Sequence, residues 1–258
     1  MNIWEAILSG IVQGLTEFLP VSSSGHLVFA HSLFGVGEPK VLFDVCLHFA
    51  TLASVVIFFR RDIAELFKSQ GRMWRVCIAA GTVPAVLAGL LFEKYVSSVF
   101  GSPRVVSVML LITAAVLIPA QVALSAKNRK VLELGPGKAF WVGMAQAAAI
   151  IPGLSRSALT ISAGLSSGMR GEESFRFSFL LSVPIIAGAT LYKVLSEMVS
   201  GELAKAVDVS VLVAGMGFAF LSGMAGLFFL KRAVMFKKIW VFSVYCFIVG
   251  SAGLVLWR

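Results

Sequence analysis

The sequence predicts an all-α integral membrane protein, with about six transmembrane helices and two re-entrant helical hairpins arranged as an inverted-topology repeat. Three observations lead there. Of 258 residues, 58% are apolar and only 14% charged, whereas a soluble domain is about 25% charged. That leaves too little polar surface to coat a globule in water. Six apolar segments approach the roughly 20 residues a helix needs to cross the hydrocarbon core. Two further apolar stretches are broken at their centres by polar, turn-forming residues. The composition excludes a disordered chain, a coiled coil and a secreted disulfide scaffold.

In chain order, the start MNIWEAILSG carries an acid and no basic residue, unlike a secretory signal peptide. Residues 3–34 form the first broken stretch, interrupted at Pro20-Val-Ser-Ser-Ser-Gly25. Spans follow at Phe43–Phe59, Met73–Phe92 and Val105–Leu124. The second broken stretch, 139–168, is interrupted at Pro152-Gly-Leu-Ser-Arg-Ser157. Spans at Ser174–Val199, Val209–Leu230 and Ile239–Trp257 complete the set. Pro84, Pro119 and Pro184 fall inside spans, where neighbouring helices re-satisfy the freed backbone. Irregular backbone at membrane depth must be buried in protein or line a wet cavity. Each broken stretch therefore reads as a hairpin that enters and leaves on one side. A surface loop between short helices is the alternative, and Arg156 in so apolar a setting favours the hairpin. Cys46, Cys77 and Cys246 sit in apolar runs and read as small hydrophobes.

Charge orients the chain. The net charge is +9, and no basic patch interleaved with aromatics points to nucleic acid. One side collects Arg60, Arg61, Lys68, Arg72, Arg75, Lys127, Arg129, Lys130, Lys138, Arg170, Arg176, Lys231, Arg232, Lys237 and Lys238. The other holds Lys40, Lys94, Arg104, Lys205 and Arg258, with Lys193 near a helix end. The basic side is cytoplasmic by the positive-inside rule, which puts both termini outside. The hairpins then enter from opposite faces. The chain reads as one membrane domain with pseudo-repeats at about 1–126 and 138–258. Gly10-x-x-Gln13 before Pro20-x-x-Ser23 matches Gly143-x-x-Gln146 before Pro152-x-x-Ser155. Each half holds a hairpin and three spans. Three is odd, so the second half is inverted, and such repeats put a polar site near the midplane where hairpin tips meet.

Ionisable residues at membrane depth are costly and mark function. Glu17, His26 and Arg156 are the foremost, with Asp44, His48 and Thr51 near the first span. Gln13 and Glu17 share a helix face, as do Arg156 and Thr160. Two half-helix starts with serines beside them offer an anion site, and Arg156 adds a fork that suits phosphate oxygens. Glu17 and His26 supply acid–base or metal-binding capacity, and Ser23 or His26 a nucleophile. Against this, Glu17 and Arg156 also read as a structural ion pair. Asp44 and His48 read as a structural pair as readily as an auxiliary one. Ser22, Ser24 and Ser157 read as caps or turns.

The run Gln13-Gly-Leu-Thr-Glu17-Phe-Leu-Pro-Val-Ser-Ser-Ser-Gly-His26 resembles the first signature of the undecaprenyl-diphosphate phosphatase family, the bacitracin-resistance proteins. Pro152-Gly-Leu-Ser-Arg156-Ser-Ala-Leu-Thr160 resembles its second. Phe177–Pro184 and Leu47-His48 to Thr51-Leu52 also look like family segments, so the resemblance spans the chain. It implies a multi-pass protein of the bacterial cytoplasmic (inner) membrane, its site facing outward. Its substrate would be undecaprenyl diphosphate, cleaved to recycle the cell-wall lipid carrier. It implies a divalent cation, Mg²⁺ or Ca²⁺, with Glu17 as a ligand. Glu17 matches the essential glutamate, Ser23 a proposed nucleophile, His26 an essential histidine and Arg156 the phosphate-binding arginine. Ser155, Ser157 and Thr160 belong to the second phosphate-binding motif. Gln13 stands where some relatives have Glu, which leaves one carboxylate in the first. Membrane lipids are the other partners, and a homodimer is allowed. The rival reading is a prenyl-phosphate flippase using the same anion site.

Overall fold

In a computed structural model, residues 1–34, 41–99, 102–126, 131–200 and 208–257 are described. All their regular structure is helical, with no strand among them: α1 (Ile3–Phe18), α2 (Ser23–Phe34), α3 (Val41–Phe58), α4 (Arg60–Leu66), α5 (Arg72–Val99), α6 (Pro103–Ser125), α7 (Pro136–Ala148), α8 (Arg156–Ser166), α9 (Gly171–Ser200), α10 (Val209–Met235) and α11 (Trp240–Leu256). Side-chain caps start several of them. Asn2 and Glu5 form a reciprocal capping box on α1. Ser102 caps α6 with Pro103 in its first turn, and Asp208 caps α10. Of the charges that orient the chain, Lys40, Lys127, Arg129, Lys130, Lys205 and Arg258 lie outside the described residues, as does the side chain of Lys94.

Four helical segments among the described residues are long and apolar enough to cross a membrane: Ser69–Phe92, Pro103–Ser125, Gly171–Ser196 and Val209–Met235. A fifth arises if Phe43–Phe58 and Arg60–Leu66, which meet at 74°, count as one broken span. The last expected span is the 17-residue helix α11. The outward surface matches a lipid solvent. Leu91 is 73% exposed and Phe247 61%, and an aqueous surface does not carry apolar patches on this scale. The protein is a multi-pass membrane protein.

Both broken stretches are helix–break–helix. The first break spans residues 19–22 and the second 149–155. Ser22 lies at φ 69° and Gly153 at φ 88°, both left-handed. Gly153 pays no Cβ penalty there, but for Ser22 the conformation costs about 1–3 kcal/mol. The surroundings hold Ser22 in place: its Oγ accepts the Gly25 N–H at 3.3 Å, and its carbonyl oxygen lies 2.7 Å from His26 Nδ1.

The packing is reciprocal between the halves. Helix α1 lies along α10, and α7 lies along α5. Helix α3 meets α10, and α9 meets α5. Small residues allow the closest approaches. A Cβ at Gly10 would stand 2.4 Å from the Gly215 carbonyl oxygen, and one at Gly143 2.2 Å from that of Gly81. Beneath the breaks, Phe18, Phe59, Phe175 and Phe179 pack as an aromatic cluster, with the Phe175 and Phe179 rings 5.0 Å apart. Cys77 and Cys246 are buried and Cys46 is half-buried, all three as free thiols.

Candidate active site at the two helix breaks

The two breaks meet. The Gly153 N–H reaches Ser24 Oγ at 3.4 Å, and Ser157 Oγ donates to the Leu19 carbonyl at 3.2 Å. Thr113 of α6 braces the second turn, accepting the Ser155 N–H at 3.2 Å and donating to the Gly153 carbonyl at 3.4 Å. This joint delivers the last turn of α1, the first turn of α2 and the first residue of α8 to one place.

Glu17 is the hub. Its Oε1 accepts from Arg156 Nη2 at 2.7 Å. Its Oε2 accepts from Ser23 Oγ at 2.8 Å and from Gln13 Nε2 at 3.1 Å. The Gln13 amide also reaches His48 Nδ1 at 3.1 Å, which itself stands 3.9 Å from Glu17 Oε2. The Glu17 and Arg156 side chains are 9% and 16% exposed. At that burial, water screens charge poorly and each contact is strengthened. The Arg156 guanidinium lies 6.0 Å from the Phe179 ring centroid, so the aromatic cluster forms one wall.

The ion pair anticipated as an alternative for Glu17 and Arg156 is therefore present, but it does not use up the guanidinium. Arg156 Nη1 is buried without a partner among the described residues, and so is Gln13 Oε1. A buried charged donor left unmet costs free energy. An anion meeting Nη1 would relieve that cost.

Of the residues expected in the site, Gln13, Glu17, Ser23, His48 and Arg156 converge. Ser155, Ser157 and Thr160 lie beside them, but their hydroxyls are engaged. Ser155 Oγ caps α8 at Ala158, Ser157 bonds Leu19, and Thr160 bonds the Arg156 carbonyl at 2.8 Å and Ser178 Oγ at 2.5 Å. They fix the turn that aims Arg156. Asp44 is half-buried, one helical turn before His48. His26 faces other partners, the Ser22 carbonyl and the Tyr245 hydroxyl, the latter 2.7 Å from Nε2. The sequence reading passed over Thr113, Ser178 and Tyr245, and took Ser24 for a cap or turn residue only. A tyrosine inside an apolar helix needs a partner for its hydroxyl, and that signal was available for Tyr245.

No group of three His, Cys, Asp or Glu side chains converges on a metal position among the described residues. Hard cations take oxygen ligands and accept one or two carboxylates plus phosphate oxygens. Glu17 with the unpartnered Gln13 Oε1 fits that sparser arrangement.

An apolar groove of about 770 Å³ runs between α5 and α7, lined by Leu87, Leu91, Phe140, Met144 and Pro152 among others. Pro152 belongs to the break that leads into Arg156.

Fold and site together define a polytopic membrane protein with a glutamate–arginine–serine cluster built at two helix breaks. The family profile of bacitracin resistance protein BacA matches residues 6–252, and the chain belongs to that family. Relatives named undecaprenyl-diphosphatase are similar along their whole length. The one from Halothermothrix orenii is 40% identical, over 99% of this chain and 98% of its own. The one from Christiangramia forsetii is 39% identical, over 99% and 98%. The one from Korarchaeum cryptofilum is 39% identical, over 99% and 100%.

Proposed function

We propose that this chain is an undecaprenyl-diphosphatase. It hydrolyses undecaprenyl diphosphate to undecaprenyl phosphate and inorganic phosphate, and so recycles the cell-wall lipid carrier. One observation carries the chemistry: Glu17 binds the Ser23 hydroxyl on one oxygen and Arg156 on the other, while Arg156 Nη1 stays buried and unmet among the described residues. A nucleophile, a base and an unspent phosphate donor stand in one cluster.

In this reading Arg156 holds the terminal phosphate, its turn fixed by Ser155, Ser157 and Thr160. Ser23 Oγ attacks the terminal phosphorus as its proton passes to Glu17. The bridging P–O bond breaks, and its electron pair leaves on undecaprenyl phosphate. Water then attacks the phosphoseryl phosphorus, with His26 Nε2 as the proton acceptor. Gln13 and His48 hold the carboxylate in line, and Asp44 backs His48. A divalent cation, Mg²⁺ or Ca²⁺, would be held by Glu17 and Gln13 Oε1, and when bound it neutralises phosphate charge. The prenyl tail would occupy the groove between α5 and α7 that Pro152 helps to line.

The finer architecture belongs to the same proposal. Six spans and two hairpins form an inverted repeat at about 1–126 and 138–258. The exchange of partners between α1–α10 and α7–α5 supports it, as do the matched contacts at Gly10 and Gly143. The protein sits in the bacterial inner membrane with both termini and the site outside, a reading supported by the bias of basic residues.

One experiment tests activity and orientation together. Cells stripped of wall and outer membrane should, when supplied with the lipid diphosphate, release inorganic phosphate into the medium. A tag after Arg258 should be open to protease from that same side. Chelator should stop the release, and Mg²⁺ or Ca²⁺ should restore it. A flippase would bind lipid phosphate and release no inorganic phosphate, and a protected tag would contradict the orientation.

A further inference from the structure

The ring of His26 is held at both nitrogens. Nδ1 lies 2.7 Å from the Ser22 carbonyl oxygen. A carbonyl only accepts, so Nδ1 carries the proton. Nε2 of the neutral ring then presents a lone pair, and the Tyr245 hydroxyl at 2.7 Å donates to it. The two rings stack, with centroids 5.7 Å apart and planes 12° from parallel.

Neither partner is there by default. Ser22 adopts left-handed backbone at φ 69°, a conformation that side chains other than glycine avoid. Tyr245 arrives on α11, which grips the first hairpin at further points. Cys246 Sγ stands 3.5 Å from the Pro20 carbonyl oxygen, and Trp257 stacks on Phe29 at 4.8 Å. Tyr245 is also 40% exposed.

We infer that Tyr245 is the group through which His26 works: its hydroxyl holds the Nε2 lone pair and relays to it the proton of the attacking water. This rests on the reading of His26 as the base for the second step. The water oxygen bonds to the phosphoseryl phosphorus. The bond from phosphorus to Ser23 Oγ breaks with its electron pair on Oγ, which recovers the proton that Glu17 had taken. The water proton passes to the Tyr245 oxygen as the tyrosine's own proton moves to Nε2. A hydroxyl suits this relay because it donates and accepts at once. Phenylalanine would keep the stacked ring and break the relay.

The test compares Tyr245→Phe, His26→Ala and the double variant in detergent, by steady-state phosphate release and rapid-quench measurement of protein-bound phosphate. Losing a general base lowers rates by about 10²- to 10⁴-fold. With water standing in for the phenol, Tyr245→Phe should lower kcat by roughly 10- to 100-fold. KM should stay within about twofold, and phosphate should accumulate on Ser23. Because the two residues act as one unit, adding Tyr245→Phe to His26→Ala should slow the enzyme no further. A wild-type rate for Tyr245→Phe beside a slow His26→Ala would overturn the relay and leave the role of His26 intact. A wild-type rate for His26→Ala would instead overturn that role, and the relay with it. If Tyr245→Phe slows the His26→Ala enzyme further, or lowers the melting temperature, Tyr245 acts on the fold and the relay is wrong.

Discussion

Glu17→Gln is expected to lower hydrolysis by roughly 10²- to 10⁴-fold, the range for loss of a general base. The amide keeps the shape of the carboxylate, but it cannot take the Ser23 proton or neutralise Arg156. The second loss gives the variant a signature of its own. Removing one partner of a buried ion pair costs about 3–5 kcal/mol, because the other charge is left uncompensated. The Glu17–Arg156 pair is 2.7 Å apart with side chains 9% and 16% exposed, so this penalty applies here. Glu17→Gln should therefore melt earlier than wild type in detergent. Inorganic phosphate should return more of that stability than it adds to wild type, since the anion supplies the missing charge. Phosphate release and thermal melting with and without phosphate check both halves. Near-normal turnover, or a melting temperature indifferent to phosphate, would leave the pair as structural glue.

Arg156→Lys is expected to lower the rate even though the charge is retained. The guanidinium gives Nη2 to Glu17, while Nη1 is buried and without a partner among the described residues. Lysine is a compact point charge on a flexible stem, and it cannot bond Glu17 and a phosphate oxygen in that fixed fork. One charge-assisted hydrogen bond is worth about 1.5–3 kcal/mol, or roughly 10- to 150-fold if it acts in the transition state. The measurement is single-turnover phosphate release at saturating lipid diphosphate, with melting temperature as control. A wild-type rate would remove the clamp role.

Much of this was legible in the sequence because membranes impose simple rules. Hydropathy exposed the long helices, and Pro20 with Ser22 to Ser24, and Pro152 with Gly153, marked the two breaks. Glu17 and Arg156 stood out because charge is rare in such surroundings. Tertiary facts were less accessible. His48 sits 35 residues from Gln13 and joins it only because α3 packs against α1. The 74° elbow between α3 and α4 was hidden, since the span was expected to end at Phe59 and Arg60 and Arg61 marked only its basic end. At that elbow Arg176 bridges Asp62 at 2.5 Å and Glu65 at 2.9 Å. Ser155, Ser157 and Thr160 carried the right motif, but which acceptor a hydroxyl finds depends on the neighbouring helix.

The two halves also proved unequal in chemistry. Gln13 is followed one helical turn later by Glu17, whereas Gln146 is followed by Ile150. Gln146 is buried with neither amide atom bonded among the described residues, while the Gln13 amide nitrogen bonds both Glu17 and His48. The first break thus supplies the carboxylate and the hydroxyl, and the second supplies the guanidinium. Neither half holds the cluster alone, which ties its assembly to the docking of the two breaks.

The most direct test of phosphoryl transfer at this centre is a rapid-quench single turnover with undecaprenyl diphosphate labelled in its terminal phosphate. The expected result is a transient protein-bound label that maps to Ser23 and decays into free phosphate. It should be absent from Ser23→Ala and long-lived in His26→Ala. No bound label at any time, together with full activity of Ser23→Ala, would contradict attack by Ser23.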